Sequence, residues 1–325
     1  MANKIQLSKR REFDITITGD TYAGVHAMPY VTAAVRSPDT IAKGYVRTID
    51  GLTKSAVINN IASSNPIVAA ACAFSSENSV SSTEQVLTLT DLKVNEEICR
   101  GTVFPTWLGQ GMDRNGNLPN EFSDFLLKVV AGKAAAQLEI GIWQGSSPFG
   151  VGFLSDDGNQ DEDGADASAM KEFTEVDFAD ALAAADIITD LNSVYAAAAA
   201  NIPQALTKPG FGFYMNAKTY SFYCQALAAN TTFQSLGAAG DFNALTYMGF
   251  PIYVCPGMFN DVIVATYPEN LVFGTNLATD WTEARLIPTY EYDGSDNVRV
   301  TMNFAVGVQV AVASDGVYGS TVWDS

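Results

Sequence analysis

The 325-residue chain has a single histidine, His26, and four scattered cysteines, Cys72, Cys99, Cys224 and Cys255. A zinc site needs clustered Cys and His ligands, so no metal site of that kind is expected. Four cysteines without a CxxC pair do not make a disulfide framework in so long a chain, and buried free thiols from a reducing compartment are the expectation. A Ser–His–Asp triad would depend on that one histidine, in an N-terminal region with little core of its own. No GxSxG elbow and no Walker A sequence occurs, and the GFGF run at 210–213 lacks the third glycine of a dinucleotide fingerprint. Basic residues are scarce, with 18 Lys and Arg against 36 Asp and Glu and a net charge of −18. Phosphates are gripped by Lys and Arg, so tight or sequence-specific nucleic-acid binding is disfavoured. Apolar runs such as Pro66–Phe74 are too short to span a bilayer. No signal peptide is expected either, because Lys9, Arg10 and Arg11 lead into Glu12 and an alternating segment. The chain is read as no enzyme, with no catalytic, cofactor-binding or metal-binding residue predicted.

What is present is a globular composition, 47% hydrophobic, organised around residues 117–145. This stretch predicts one long helix. Pro119 suits a first turn, Glu121 and Asp124 favour the positive end of the macrodipole, and Ala, Leu, Lys, Glu and Gln fill the middle. Phe122, Phe125, Leu126, Val129, Ala136, Ile140 and Trp143 recur at spacings of three, four and seven, which predicts one apolar stripe facing the core. Gly145 can supply the left-handed residue that stops the helix.

The charge is uneven. Residues 1–54 hold eight Lys and Arg against five Asp and Glu, and the remaining chain holds ten against thirty-one. A mildly basic arm on an acidic body fits a segment lying across a neighbouring acidic subunit, as it also fits a solvated terminus. Residues 41–108 read as strands around a polar loop tip. Tyr45–Ile49, Ser55–Ile61 and Val86–Val94 are strand-like, and Ser75–Thr83 is polar. A projecting hairpin of this kind buries too little to be stable alone and should lie on something else.

Residues 155–170 form an acidic loop. Asn159, Asp161, Asp163 and Gly164 match positions 1, 3, 5 and 6 of a calcium loop, but Met170 stands where the bidentate Glu belongs. A solvated surface loop fits the same residues. Phe173–Ala200 predicts a second helix, with Thr174 and Asp177 as a capping box and Phe178, Leu182, Ala185, Ile188 and Val194 on one stripe. Beyond it the texture is mixed. Gly210–Asn216 predicts a buried strand leading into a helix over Ala217–Ala228. Tyr247–Met258, Asp261–Tyr267 and Asn270–Thr275 predict strands. Ala284–Tyr292 and Asn297–Ala313 predict two long strands joined by a turn at Asp293–Asp296.

These phrases and their order resemble the major capsid protein of tailed bacteriophages, the Hong Kong 97 fold. Leu138–Gly145 resembles the end of that family's spine helix, and Ala205–Leu227 its central strand and helix. Tyr247–Met258 resembles the strand that follows, and Pro268–Leu277 and Val298–Gly319 the closing strands. The match covers residues 118–319 by phrase and 1–117 by architecture. It implies an α+β fold: an N-terminal arm (1–40), an extended loop with flanking strands (41–108), a peripheral domain (109–172) with its spine helix at 118–144, an axial domain (173–275) and peripheral return strands (276–325). It also implies a virion subunit that assembles with copies of itself into hexamers and pentamers of an icosahedral head enclosing double-stranded DNA. Scaffolding, portal and decoration proteins are the implied partners, and the host cytoplasm the implied place of synthesis.

Nothing resembles the long cleaved scaffolding segment of the best-known member. Some relatives crosslink a loop Lys to an Asn; Lys43, Lys54 and Lys93 lie in the corresponding region, but no partner Asn or catalytic acid is assignable and no crosslink is predicted. Two alternatives stay open. One is a cellular encapsulin-like compartment with the same fold, which should come with cargo. The other is a calcium-dependent extracellular binding protein using the 159–166 loop.

Overall fold

The structure is a computed structural model that describes residues 21–23, 38–63, 80–99, 120–145, 147–154, 169–170, 173–229, 246–276, 283–289, 294–295 and 297–321. His26, Cys72, the polar tip at 75–79 and the acidic loop at 155–168 lie outside the described residues, as does most of the N-terminal arm.

Residues 297–310 alternate apolar and polar side chains, and they form the longest strand of the first sheet. Its neighbours come from all over the chain. The strands are β1 (Thr21–Ala23), β2 (Arg47–Ile49), β5 (Thr90–Cys99), β11 (Leu271–Thr275), β12 (Glu283–Pro288) and β13 (Asn297–Val310). They run in the order β1-β12-β13-β11-β2, with β5 on the other side of β13. The pairs are antiparallel except β2 with β11, which is parallel. The hairpin joining β12 to β13 was expected from the turn residues between them; its strands pair from Glu283 with Asn303 to Pro288 with Val298.

The second sheet comprises β6 (Thr174–Asp177), β7 (Gly212–Met215), β8 (Thr246–Tyr247), β9 (Phe250–Val254), β10 (Val262–Thr266) and β14 (Val317–Ser320), in the order β6-β14-β10-β7-β9-β8. All five residues of β10 are buried. Val262 and Val264 join one apolar cluster and Ile263 and Ala265 the other, because successive side chains point to opposite faces. One cluster lies against the long helix and the first sheet. The other lies beneath α3 (Ile187–Asn201) and α4 (Ala217–Ala229). Short helix α1 is Asp39–Ala42 and the long helix, α2, is Asn120–Gln144.

The chain passes between the sheets twice in close proximity, at 267–270 and at 311–316. Asn270, fully buried, laces these crossings together. Its side-chain amide donates to the Val312 carbonyl and the Thr266 hydroxyl at 3.1 Å each, and its carbonyl oxygen accepts from the Val312 N–H at 2.7 Å.

Helix α2 ends as expected, with Gly145 at φ +67° and its N–H bonded to the Gly141 carbonyl at 3.0 Å. The expected stripe is corrected in phase. Leu126 and Trp143 are buried, but the core face runs through Leu127, Val130, Ala131, Ala134, Ala135, Leu138 and Ile142. Val129, Ala136 and Ile140 face outward. The helix is apolar on nearly all sides, so stripes of helical period exist in more than one phase, and the surrounding strands select one. The second correction concerns Phe173–Ala200. Thr174 and Asp177 form no capping box; they are the ends of β6, which pairs in parallel with β14. Helix α3 starts at Ile187, with Leu191, Val194 and Ala198 on its buried face and Ile188 exposed. A ladder of backbone bonds outweighs a local capping pattern there. Third, Val86–Val94 is not one strand: β4 (Val80–Thr88) and β5 meet at Leu89, whose buried side chain turns the corner.

Candidate assembly surface

Residues Ser55–Ser63 (β3) and Val80–Thr88 pair with each other and, among the described residues, with no third strand, Ser55 opposite Thr88 through Ser63 opposite Val80. Directly opposed residues share a face. Val57 with Val86, Asn59 with Glu84 and Ile61 with Ser82 therefore make one face. Val57, Ile61 and Val86 are 56%, 71% and 50% exposed. Ala56, Ile58 and Gln85 on the opposite face are half-buried, and Leu87 is fully buried.

The hairpin is fixed at its base. Leu52 N–H bonds to the Thr275 carbonyl at 3.1 Å and Leu89 N–H to the Lys54 carbonyl at 2.9 Å. Gln309 Nε2 donates to the Val86 carbonyl at 3.2 Å. This arrangement is a hydrogen-bonded root carrying a blade whose outward face mixes Val57, Ile61 and Val86 with Asn59, Ser82 and Glu84. Val57 and Val86 stand opposite one another and Ile61 lies two pairs further along, beyond Asn59 and Glu84, so this outward face is a candidate surface for contact with another body.

A second uncovered apolar surface lies on α2. Val129 and Ile140 are 39% and 49% exposed on its outward side. Beside them a groove of about 320 Å³ runs between α2 and β5, lined by Leu92, Val94, Gln137, Ile140, Phe149 and Phe304. Nothing in its lining combines an acid, a base and a nucleophile.

Electrostatics around these surfaces are mild. Arg299 pairs with Glu97 at 3.1 Å in an exposed position, which contributes little to stability. Burial pushes the Asp190 carboxyl up, and nearby Asp186 adds to the effect. The thiols differ from the expectation of uniform burial. Cys255 is fully buried and its thiol is pushed well up by desolvation, Cys224 is half-buried, and Cys99 is exposed on β5. Cys255 is therefore held as the unreactive thiol.

The residues singled out in the sequence are placed as follows. Lys43 makes a 3.4 Å ion pair with Asp39 and lies over the Tyr45 ring at 5.8 Å. Lys54 sits at the hairpin root and Lys93 beside the groove. The 159–166 calcium comparison lies outside the described residues. Among the described residues no cluster of three or more His, Cys, Asp or Glu is placed to hold a metal ion, and no helix is long and apolar enough to cross a membrane. Sequence reasoning missed Glu139, a carboxylate that is 5% exposed on α2. Its position one residue after Leu138 and three before Ile142 would have flagged it, had the helix phase been read correctly.

No family model matches the chain, and no curated protein matches it. Solved structures do. The capsid of a native GTA particle is similar with a TM-score of 0.56 and 16% identity, over 89% of this chain and 90% of that one. A Mycobacterium phage Adephagia structure is similar with a TM-score of 0.54 and 10% identity, over 89% and 91%. The procapsid of satellite phage P4 gives 0.54 and 11%, over 90% and 97%. Two sheets, one long helix and a projecting hairpin, superposed over nearly the whole of these chains, give this protein the α+β fold of the Hong Kong 97-like capsid proteins.

Proposed function

We propose that the protein is the major capsid protein of a tailed bacteriophage, assembling with copies of itself into hexamers and pentamers of an icosahedral head that encloses double-stranded DNA. The observation that carries this reading is the uncovered apolar face of the β3–β4 hairpin, Val57, Ile61 and Val86, on a chain with a capsid fold. A copy of the same chain is the partner that a flat subunit repeated in a closed lattice would offer to it, through many moderate heterologous contacts. In this reading the first sheet with α2 is the peripheral domain and most of the second sheet with α3 and α4 is the axial domain. The role is structural, without catalysis. The charge of −18 keeps subunits soluble and lets the enclosed genome leave without sticking. Synthesis in the host cytoplasm and help from a separate scaffolding protein complete the proposal.

The test is negative-stain electron microscopy of the purified, untagged protein after size exclusion at two ionic strengths, alone and co-expressed with its genomic neighbours. Closed shells, tubes or hexameric rings are expected. A homogeneous monomer at all concentrations, with and without those neighbours, overturns the reading. An encapsulin-like compartment would instead yield shells that retain a cargo enzyme.

A further inference from the structure

Three segments meet at the C-terminal half of α2, around an ionisable side chain that contacts no solvent to speak of. Glu139 is 5% exposed, and Thr40 and Trp143 are fully buried. The Glu139 carboxylate accepts the Thr40 backbone N–H at 3.0 Å and, through its other oxygen, the Thr40 hydroxyl proton. The same hydroxyl accepts from Trp143 Nε1 at 2.9 Å. Thr40 thus turns its amide and its hydroxyl to the one helix, and its side chain also reaches Cys255 after β9.

The helix meets the turn after β9 at the same level. Gln144 Nε2 donates to the Gly257 carbonyl at 2.8 Å. Any Cβ at residue 257 would overlap the Glu139 carbonyl, so only glycine lets the two backbones approach so closely.

The chain then runs from Thr40 across the second sheet into the first. The Tyr45 carbonyl accepts the Tyr214 hydroxyl at 2.9 Å, and the Tyr45 ring lies 4.7 Å from that of Tyr253. Tyr214 and Tyr253 belong to β7 and β9, with rings 4.8 Å apart. Two residues later Arg47 begins β2, in parallel with β11 of the first sheet. Ten residues therefore touch the long helix, the second sheet and the first sheet in succession. On the peptide chain itself, crossings between the sheets among the described residues include the pair at 267–270 and 311–316 laced by Asn270.

We propose that residues 38–49 are a clasp that fixes the angle between the two sheets, locked by the hydrogen bonds of Thr40 to Glu139 and Trp143. Opening it leaves each sheet intact and loosens the angle between them, which the shared apolar cluster and the crossings at 267–270 and 311–316 still limit. The chemistry of the lock makes it all-or-none. A buried carboxylate is costly unless its partners are in place, and Thr40 satisfies it only when the segment is seated. An apolar pair of the same volume would hold the segment without that switch-like character. The clasp does not depend on the shell reading, because it is a property of one subunit.

The experiment is hydrogen–deuterium exchange with mass spectrometry and small-angle scattering on the unassembled full-length subunit, comparing Thr40→Val with the parent. Thr40→Val keeps the side-chain volume and removes the hydroxyl. Exchange at 38–49 and at 255–259 is expected to rise at least about tenfold, the effect of losing one hydrogen bond of the charged class. The amides of β13 and β10 should keep their protection, and the interatomic distance distribution should broaden. Thr40→Ser restores the hydroxyl and should return both readouts to parental values.

Thr219→Val is the control. Thr219 is another fully buried threonine, with its hydroxyl on the Asn260 carbonyl, and its loss should leave 38–49 protected. The clasp is overturned by unchanged exchange at 38–49 in Thr40→Val. It is equally overturned by a uniform rise across both sheets, or by Thr40→Ser behaving as Thr40→Val, which would assign the effect to packing by the methyl group. Should Thr40→Val not fold, Thr40→Ser and Glu139→Gln decide: parental exchange at 38–49 in both overturns the lock.

Discussion

The β3–β4 hairpin and strand β10 are built from similar residues and meet opposite fates. Val57 and Ile61 on the hairpin alternate with half-buried neighbours and remain open to solvent. Val262, Ile263 and Val264 in β10 are packed on both faces, with β7 and β14 on either side and apolar clusters above and below. The difference is topological. β10 sits in the middle of a six-stranded sheet, whereas β3 has one strand partner among the described residues and one face open to solvent. A β-branched residue in β10 stabilises the folded chain; the same residue in the hairpin would, under the proposed function, stabilise only contacts with another copy.

The comparison can be pressed by mutation, and the largest effects should come from the interior. Trp143→Ala removes a fully buried indole together with its bond to Thr40, and should cost about 3–5 kcal/mol in denaturant unfolding. Ile263→Ala in β10 should cost about 2–4 kcal/mol by the same measurement. If Ile263→Ala unfolds within error of the parent, the two-faced burial of the second sheet is wrong; the same result for Trp143→Ala would remove the α2 indole from the core.

The hairpin should behave in the reverse way. Val57→Ser combined with Ile61→Ser should change subunit unfolding by no more than about 0.5 kcal/mol, since both side chains are exposed. The same double variant should form few or no shells by sedimentation and electron microscopy. Normal shell yield would remove the hairpin face from the assembly surface and place the weight on the outward side of α2.

Two smaller effects follow from titration. Burial raises the Tyr45 and Tyr223 hydroxyls to about 12 from 10.0. The unfolded chain therefore loses these protons first as pH rises, and stability from these groups is present below pH 10 and lost between 10 and 12. Tyr45→Phe should blunt that alkaline loss, read as the unfolding midpoint against pH. Asp190 has the weakest expected effect. Its folded pKa is raised by burial and by Asp186, so its contribution is greatest when it is protonated and is lost as pH rises through that value. Asp190→Asn should raise Tm by no more than about 2 °C at pH 7, with the gain vanishing below pH 3.

Much of this was legible in the sequence, and the misses have a common cause. The long helix, its glycine stop, strands 212–215, 250–254 and 262–266, and the 297–310 strand were marked by period and punctuation. Thr174 and Asp177 misled because a capping box is a pattern of two residues, and the parallel partner that makes them a strand lies some 140 residues away. Leu89 misled because alternation continues across a corner that only packing creates. The α2 stripe misled because its apolar residues admit several phases. The surface itself was legible as a hairpin needing cover, while the buried Glu139–Thr40 contact spans 99 residues and leaves no local signature.

The amino-acid sequence by itself determined the acidic charge, the α+β character and the period of nearly every element, because these depend on residue type and near neighbours. Tertiary structure alone decided which side of α2 is core, which strands become the middle of a sheet, and where Glu139 finds its donors. Those outcomes depend on contacts between residues far apart in the chain, and their energies exist only once the chain has closed around them.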